Sequence, residues 1–521
     1  MDTDVLIVGA GPTGLMLANQ LARRGVRFLI VDRHAGPAQQ SRALGVQART
    51  MEIYAHLGIV ERAIELGKRG VGANMWAQGR RMAHVPLGDI GGTLTPYPYI
   101  LVLGQDDNER IMGDSLRALG TDIQWNTELV DLQQSADRVN ATLKGADGAT
   151  RELSAAWVAG CDGAHSAVRE LNGIAFPGAP YEHVFFVADV EATGGMVADE
   201  INVYLWRDGF HLLFPMRGKD HWRIVGILPA PLRGRQGIGI EDVKPSLLQE
   251  AGSDLAIKSC TWFSTYRIHH RAAARFQDRR CFVLGDAAHI HSPVGAQGMN
   301  TGLQDAYNLA WKIALVVSGR ADATLLASYE QERIPVARRL LDTTDRAFRL
   351  VVSDSWLAGL MRTKVIARIA AIAMSSKKVR AFAFRTVSQT GIRYRKSALS
   401  HSLPELSGNG PRAGDRFPWL HLKLSAGGPV EDLFRALDDL HFHLVVIGQP
   451  APDSAAIGMG ELCLIHAIPT DAANGAELAR AEISQSSFYL VRPDGYVGLC
   501  GARLEPEAVR RYLFECLHLR A

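Results

Sequence analysis

The first 32 residues constrain this chain more than any other stretch. Asp4-Val5-Leu6-Ile7-Val8 is an unbroken apolar run closed by glycine, the pattern of a strand buried on both faces. Gly9-Ala10-Gly11-Pro12-Thr13-Gly14 follows directly. Leu15, Ala18, Leu21 and Ala22 then recur at helical spacing, with Gly25 as the stop. A second strand, Arg27 to Val31, ends at Asp32. Strand, glycine turn, helix, strand and acid together predict a dinucleotide site. Gly9 makes the tight turn, Gly11 lets the backbone approach a pyrophosphate, and Gly14 lets the helix pack close to the strand. Thr13 and Gly14 open a helix whose N–H groups and positive dipole end suit phosphates. Asp32 is placed to accept from a ribose hydroxyl. The motif alone does not separate FAD from NAD.

A later pair of motifs selects FAD. Residues 280–289 read as another buried strand, ending in Gly285-Asp286. A loop through Pro293 and Gly295 leads into a helix predicted from about Asn300 to Val317. A carboxylate at a strand end beside a second helix start suits a long polyol phosphate. Asp286 can bond ribityl hydroxyls. The N–H groups of Gly298, Met299 and Asn300 can face the N1–C2=O edge of a reduced flavin, which carries negative charge. His289 and His291 flank this loop and read as structural hydrogen-bond partners rather than bases.

Composition removes other classes. The 521 residues are 47% hydrophobic and 21% charged, which is globular. Lys plus Arg is 57 and Asp plus Glu is 54, a net charge of +3 that argues against a nucleic-acid-coating protein. Six cysteines are scattered with no C-x-x-C pair, so no zinc or dithiol site is read, and a reducing compartment is expected. No leader and no membrane-length apolar run stand out, so a cytoplasmic location is expected. A second glycine-rich nucleotide fold is not found, nor is a W-x-W-x-I-P signature.

With these motifs in order, the chain resembles the single-component FAD-dependent aromatic hydroxylases of the 3-(3-hydroxyphenyl)propionate, phenol and polyketide type. The resemblance rests on Gly9 to Gly14, on Gly160-Cys161-Asp162-Gly163 through Arg169, and on Gly285-Asp286 with its downstream loop. It implies that Asp32 and Arg33 hold the adenosine side. It brings Arg42 to the pyrophosphate or flavin, Gln105 to the ribityl or phosphate region, and the Leu129 backbone to adenine. Asp162-Gly163 would serve both FAD and a transient NADH or NADPH, and Pro293 would lie over the flavin ring. His165 departs from the arginine common in the family, which leaves nicotinamide-phosphate recognition there open. The implied activity is hydroxylation of a phenolic or polycyclic aromatic by NAD(P)H and O2 through a flavin C4a-hydroperoxide. Epoxidation or Baeyer–Villiger-type insertion on a polycyclic product is the alternative, with a non-catalytic flavin-binding regulator behind it.

The expected fold is α/β. A Rossmann-like FAD-binding domain (1–175 and 271–400) carries an inserted mixed β-sheet substrate domain (176–270). A linker (401–428) leads to a thioredoxin-like C-terminal domain (429–521), implied by the resemblance and lacking C-x-x-C. Strands predicted at 201–206, 210–216, 221–228 and 260–267 would roof the substrate cavity. Tyr204 and His211 are the favoured residues to act on a substrate hydroxyl, with Tyr266 and His269 as the others. A register error of one residue would reverse that choice. The partner is a small aromatic molecule, with no nucleic acid or membrane, and the assembly is left between monomer and homodimer.

Overall fold

The computed structural model describes residues 1–38, 44–77, 79–206, 209–251, 255–291, 296–352, 376–404, 406 and 408–520. A seven-stranded sheet forms the first unit. Thr3–Val8 pairs in parallel with Phe28–Val31 on one side and with the second half of Thr150–Gly160 on the other. Cys281–Val283 extends the parallel set beyond Thr150–Gly160. The four strands therefore point their C-terminal ends the same way. In chain order those ends lead into Gly9, Asp32, Asp162 and Gly285, so four separate motifs share one edge. Helices Pro12–Arg23, Gln105–Ala118 and Gly298–Val317 cover this sheet. Its apolar core joins Val5 to Val8 with Leu15, Leu303, Leu309 and Phe282.

The second unit is an eight-stranded sheet. Gly178–Thr193, Ala256–Ala272, His221–Ile227, Gly209–Pro215 and Ile201–Trp206 are antiparallel neighbours, as the sequence pattern anticipates. The sheet is mixed because Ile201–Trp206 pairs in parallel with Gly72–Ala77. That strand and its partner Arg80–Pro86 come from the first segment of the chain, and His289–Ile290 closes the opposite edge. The sheet thus extends beyond 176–270.

The C-terminal unit is a five-stranded sheet ordered His401–Ser402, Val497–Gly501, Ser487–Val491, Phe442–Ile447 and Cys463–Ile468. Its central strand alternates. Phe442, Leu444 and Val446 pack with Val509, Tyr512 and Leu513, while Val445 and Ile447 pack with Leu420, Leu433 and Leu478. Residues 401–428, expected as a linker, are part of this unit. His401–Ser402 is an edge strand, His421–Lys423 pairs with Val430–Asp432, and Leu406, Ala413, Phe417, Leu420 and Leu422 are buried in the core. The glycines and prolines there mark turns across a packed surface rather than a flexible connection. Trp311 and Leu315, on the helix Gly298–Val317, enter the core on the other face, beside Phe442 and Leu444, and fuse this unit to the first.

Candidate active site

The glycine turn is shaped as its residues require. Gly9 has φ 101°, and a Cβ there would strike the Cys161 carbonyl. A Cβ at Gly14 would strike the Gly9 carbonyl, so helix and strand meet backbone to backbone. At Gly11 nothing lies within 4 Å of where a Cβ would stand, which leaves the turn open to an approaching group. The first helical rung is Leu15 N–H to Gly11 O at 2.9 Å. The N–H groups of Thr13 and Gly14 thus lie outside the ladder, and Pro12 has none. Asp32 accepts from Ala10 N–H at 2.7 Å and His34 N–H at 2.8 Å, which fixes its carboxylate beside the turn. Arg33 is exposed next to it. Thr127 N–H donates to the Asp32 carbonyl at 2.8 Å, so the strand carrying the buried Leu129 starts against this corner.

Thr13 joins this turn to the second motif. A Cβ on either Gly285 (φ 59°) or Gly302 would come within 2.5 Å of Thr13 Oγ1. Asp286, the next residue, is exposed at the strand end while its neighbours are buried. Behind it lies a network the sequence reading did not assign. Buried Asp305 accepts from Gly285 N–H at 3.1 Å and from Arg333 Nε at 2.6 Å, and lies 2.7 Å from His289 Nε2. Burial opposes ionisation of Asp305, but Arg333 and His289 outweigh it and hold the carboxyl below its ordinary range. His289 is therefore a structural partner. A signal was available, because Asp305 and Lys312 are the charged residues of an otherwise apolar or neutral helix.

The start of that helix meets a second helix. Thr301 N–H to Gln297 O, 2.9 Å, is its first rung, which leaves the N–H groups of Gly298, Met299 and Asn300 outside the ladder. The Asn300 side chain is already engaged. It accepts from Gln47 N–H at 2.9 Å and donates to Gly45 O at 2.7 Å and Ala296 O at 2.8 Å. Met299 Sδ accepts from Asn108 at 3.3 Å. Gln105, first in its helix, donates to Glu109 at 2.8 Å, and Glu109 accepts from Ala38 N–H at 2.8 Å. Asp162 Oδ2 accepts from Val168 N–H at 3.2 Å, while its Oδ1 is a buried acceptor with no hydrogen-bond partner among the described residues. Burial pushes the Asp162 carboxyl up. Arg42 and Pro293 lie outside the described residues.

The eight-stranded sheet has two unlike faces. Tyr204 and His211 are register partners, and both point to the face covered by helix Ile240–Ala251. Tyr204 is 2% exposed, stacks on Trp76 at 5.6 Å, and packs in a core with Leu213, Val243 and Leu247. His211 is 1% exposed beside Phe186. The opposite face carries Met75, Val203, Leu205, Phe210, Leu212, Phe185, Ile227 and Tyr266. On this side Ile201, Val203 and Phe214 join Ala48 and Ile100 of the first unit. This is the face that meets the helix start at Ala48, and Leu212, Phe214 and Val225 on it are half-buried. Tyr204 and His211, favoured from the sequence to act on a substrate, therefore sit on the helix-covered face, and Tyr266 sits on the opposite one. Burial pushes the Tyr266 hydroxyl up to about 12.

Next to Asp162-Gly163 the long strand Ala256–Ala272 ends in a cationic corner. His269 is pulled down by its partial burial and by Arg271, His165, Arg267 and His270 around it. Arg169 spans the corner, donating to Ala164 O at 2.9 Å and Ala287 O at 3.0 Å.

The comparisons with known proteins agree with this geometry. Residues 2–344 match the family described as FAD binding domain. The chain is 33% identical to 6-methylpretetramide 4-monooxygenase of Streptomyces rimosus, over 99% of its own length and 93% of the relative's. It is 33% identical to pentachlorophenol 4-monooxygenase of Sphingobium chlorophenolicum, over 80% and 76%. Aklavinone-11 hydroxylase, solved with FAD and aklavinone, superposes with a TM-score of 0.82 at 26% identity, covering 99% of each chain. The anhydrotetracycline hydroxylase of Streptomyces rimosus gives 0.78 at 28% identity, covering 100% of each.

Proposed function

Because the chain belongs to the FAD-binding-domain family and is a flavoprotein monooxygenase, we propose that it hydroxylates a phenolic or polycyclic aromatic substrate at the expense of NAD(P)H and O2. One observation carries the reading: four motifs share one sheet edge, and the second sheet packs its apolar face, through Ile201 and Val203, on Ala48 beside the Gln47–Asn300 contact at the head of the helix Gly298–Val317. The residues suit FAD. An open Gly11, an exposed Asp286 and a buried acceptor on Asp162 without a partner among the described residues are what a dinucleotide would cover. The turn amides at Thr13 and Gly14 would hold the pyrophosphate, Asp32 a ribose, Asp286 the ribityl chain, and the amides of Gly298 to Asn300 the pyrimidine rim. Bound flavin supplies the redox chemistry, passing electrons from NAD(P)H to O2 so that one oxygen enters the ring and the other leaves as water.

The protein's part is to orient the ring and keep water away. Val203, Leu212, Val225 and their neighbours offer a flat apolar ceiling for a planar substrate. Tyr266 keeps its proton at neutral pH, so it would donate a hydrogen bond to a substrate oxygen rather than act as a base. The corner of His165, Arg267, His269, His270 and Arg271 supports landing of an anionic nicotinamide dinucleotide beside the flavin. The mixed five-stranded sheet with packing on both faces supports a thioredoxin-like reading of the C-terminal unit, acting structurally.

The test is ligand-stimulated oxidation of NADH and NADPH by the FAD-loaded protein across phenols and polycyclic aromatics, with peroxide and product mass measured together. The expected result is at least one compound that accelerates oxidation, gains one oxygen and yields little peroxide. A flavin that neither nicotinamide reduces, with every aromatic tried, would overturn the proposal.

A further inference from the structure

The turn Arg492-Pro493-Asp494-Gly495 joins two strands of the C-terminal sheet and reaches into the first unit. Asp494 Oδ2 accepts from Trp311 Nε1 at 3.2 Å and Asn308 Nδ2 at 3.3 Å, and Pro493 O accepts from the Tyr307 hydroxyl at 3.4 Å. These three residues lie on the helix Gly298–Val317. The Asp494 carbonyl accepts from Arg49 at 2.6 Å, and Arg49 lies on the helix Ala48–His56. Arg492, fully buried, bridges Asp494 at 2.5 Å and Glu332 at 2.6 Å. Glu332 also accepts from Lys312 at 2.8 Å. Burial disfavours the charged forms of Lys312 and Arg492, and Arg492 is held ionised by the two carboxylates beside it.

The two helices gripped by this turn are the two whose starts meet at the site. Gln47, which caps Ala48–His56, donates its N–H to Asn300 at the head of Gly298–Val317. Between the turn and that meeting point, Asp305 ties the same helix to Gly285 and His289. Buried charged groups in such a chain have few alternative arrangements, because any broken pair leaves a charge without water. We propose that the Arg492–Gly495 turn is a positioning element of the flavin site: it sets the spacing of the two helix starts that frame the flavin rim, so that the C-terminal unit acts on cofactor binding without touching the cofactor. The proposal rests on the reading of Gly298 to Asn300 as the rim contact. Binding of FAD by the unaltered protein tests that reading separately.

The experiment uses the full chain with Asp494→Asn, which keeps an acceptor but removes the charge, and Trp311→Phe, which removes one tether. Val445→Ala is the control, a core change in the same unit at a residue that makes none of the turn's hydrogen bonds. FAD affinity by fluorescence titration and the visible circular dichroism of bound flavin are read beside the melting temperature. Asp494→Asn is expected to weaken FAD at least tenfold and alter the flavin dichroism, with Trp311→Phe shifting both the same way by less. Val445→Ala should lower the melting temperature and leave both flavin readouts unchanged. If Asp494→Asn does not fold, Trp311→Phe decides. Flavin readouts within twofold of the unaltered protein, or moved equally by Val445→Ala, would overturn the proposal.

Discussion

The two faces of the eight-stranded sheet share one backbone and differ in everything else. One is a closed core in which Phe186, Tyr204, His211 and Leu213 are sealed beneath a helix. The other is apolar yet less deeply buried, with Leu212, Phe214 and Val225 only half-buried on the side that meets Ala48 and Ile100. A closed face stabilises the fold, and its residues answer to packing. A face left half-open has given up burial, and that surface is available to a substrate. The largest test follows directly. Phe186→Ala should cost about 3–5 kcal/mol of stability, as for a fully buried aromatic. The folded fraction should retain the unaltered ratio of product to NAD(P)H consumed. Leu212→Ala should cost roughly 1 kcal/mol, since part of the side chain is already in water, but should divert electrons to peroxide. Melting curves and peroxide assays on the pair would break the comparison if both variants lost stability alike and neither uncoupled.

The second test uses pH. Burial holds His211 down to about 3, against about 6.5 when unfolded. Between those values the unfolded chain binds a proton that the folded chain refuses. The contribution is whole above pH 6.5 and is lost progressively as pH falls toward 3, at about 1.4 kcal/mol per unit. His211→Gln should flatten the acid limb of stability measured between pH 6.5 and 5, by about 2 kcal/mol. Part of the slope should survive, because burial and His443 also depress His466, to about 4. An unchanged acid limb would show that His211 is hydrated and that its face is less closed than described.

What could be read from the chain follows the same division. The glycine turn was legible as a turn because its residues are local: glycines, an acid and a buried strand within 32 positions, each with its own backbone reason. The roof strands were legible as strands, since alternation is a local signal. Their facing was not. Strand 201–206 alternates Ile201, Val203 and Leu205 with Asn202, Tyr204 and Trp206, and either set could be turned inward. The deciding facts are distant. Helix Ile240–Ala251 lies on the Tyr204 side, and Gly72–Ala77 joins the sheet from more than a hundred residues upstream. The linker reading failed for a related reason. Glycine and proline report turns, and the buried Phe417 and Leu420 between them report packing that composition averages away. Asp305 and Arg333 escaped because a buried ion pair needs both partners in view, and these are on different helices.

The smallest test sharpens the choice between two tyrosines. Tyr204 and Tyr266 have the same chemistry, and burial raises the hydroxyl of each to about 12. Only their facing distinguishes them. Tyr204→Phe removes an oxygen from a residue whose ring stacks on Trp76, so stability should move by less than about 0.5 kcal/mol and turnover should not change. Tyr266→Phe removes a donor from the half-open face. A single neutral hydrogen bond is worth about 0.5–1.5 kcal/mol, so substrate KM or coupling should worsen by roughly twofold to tenfold with the fold intact. The effect should vanish for a substrate analogue lacking the hydroxyl that Tyr266 meets, which separates a contact from a loss of packing. If instead Tyr204→Phe is the variant that uncouples, the sheet presents its other face to the substrate, and the helix covering it must move away during turnover.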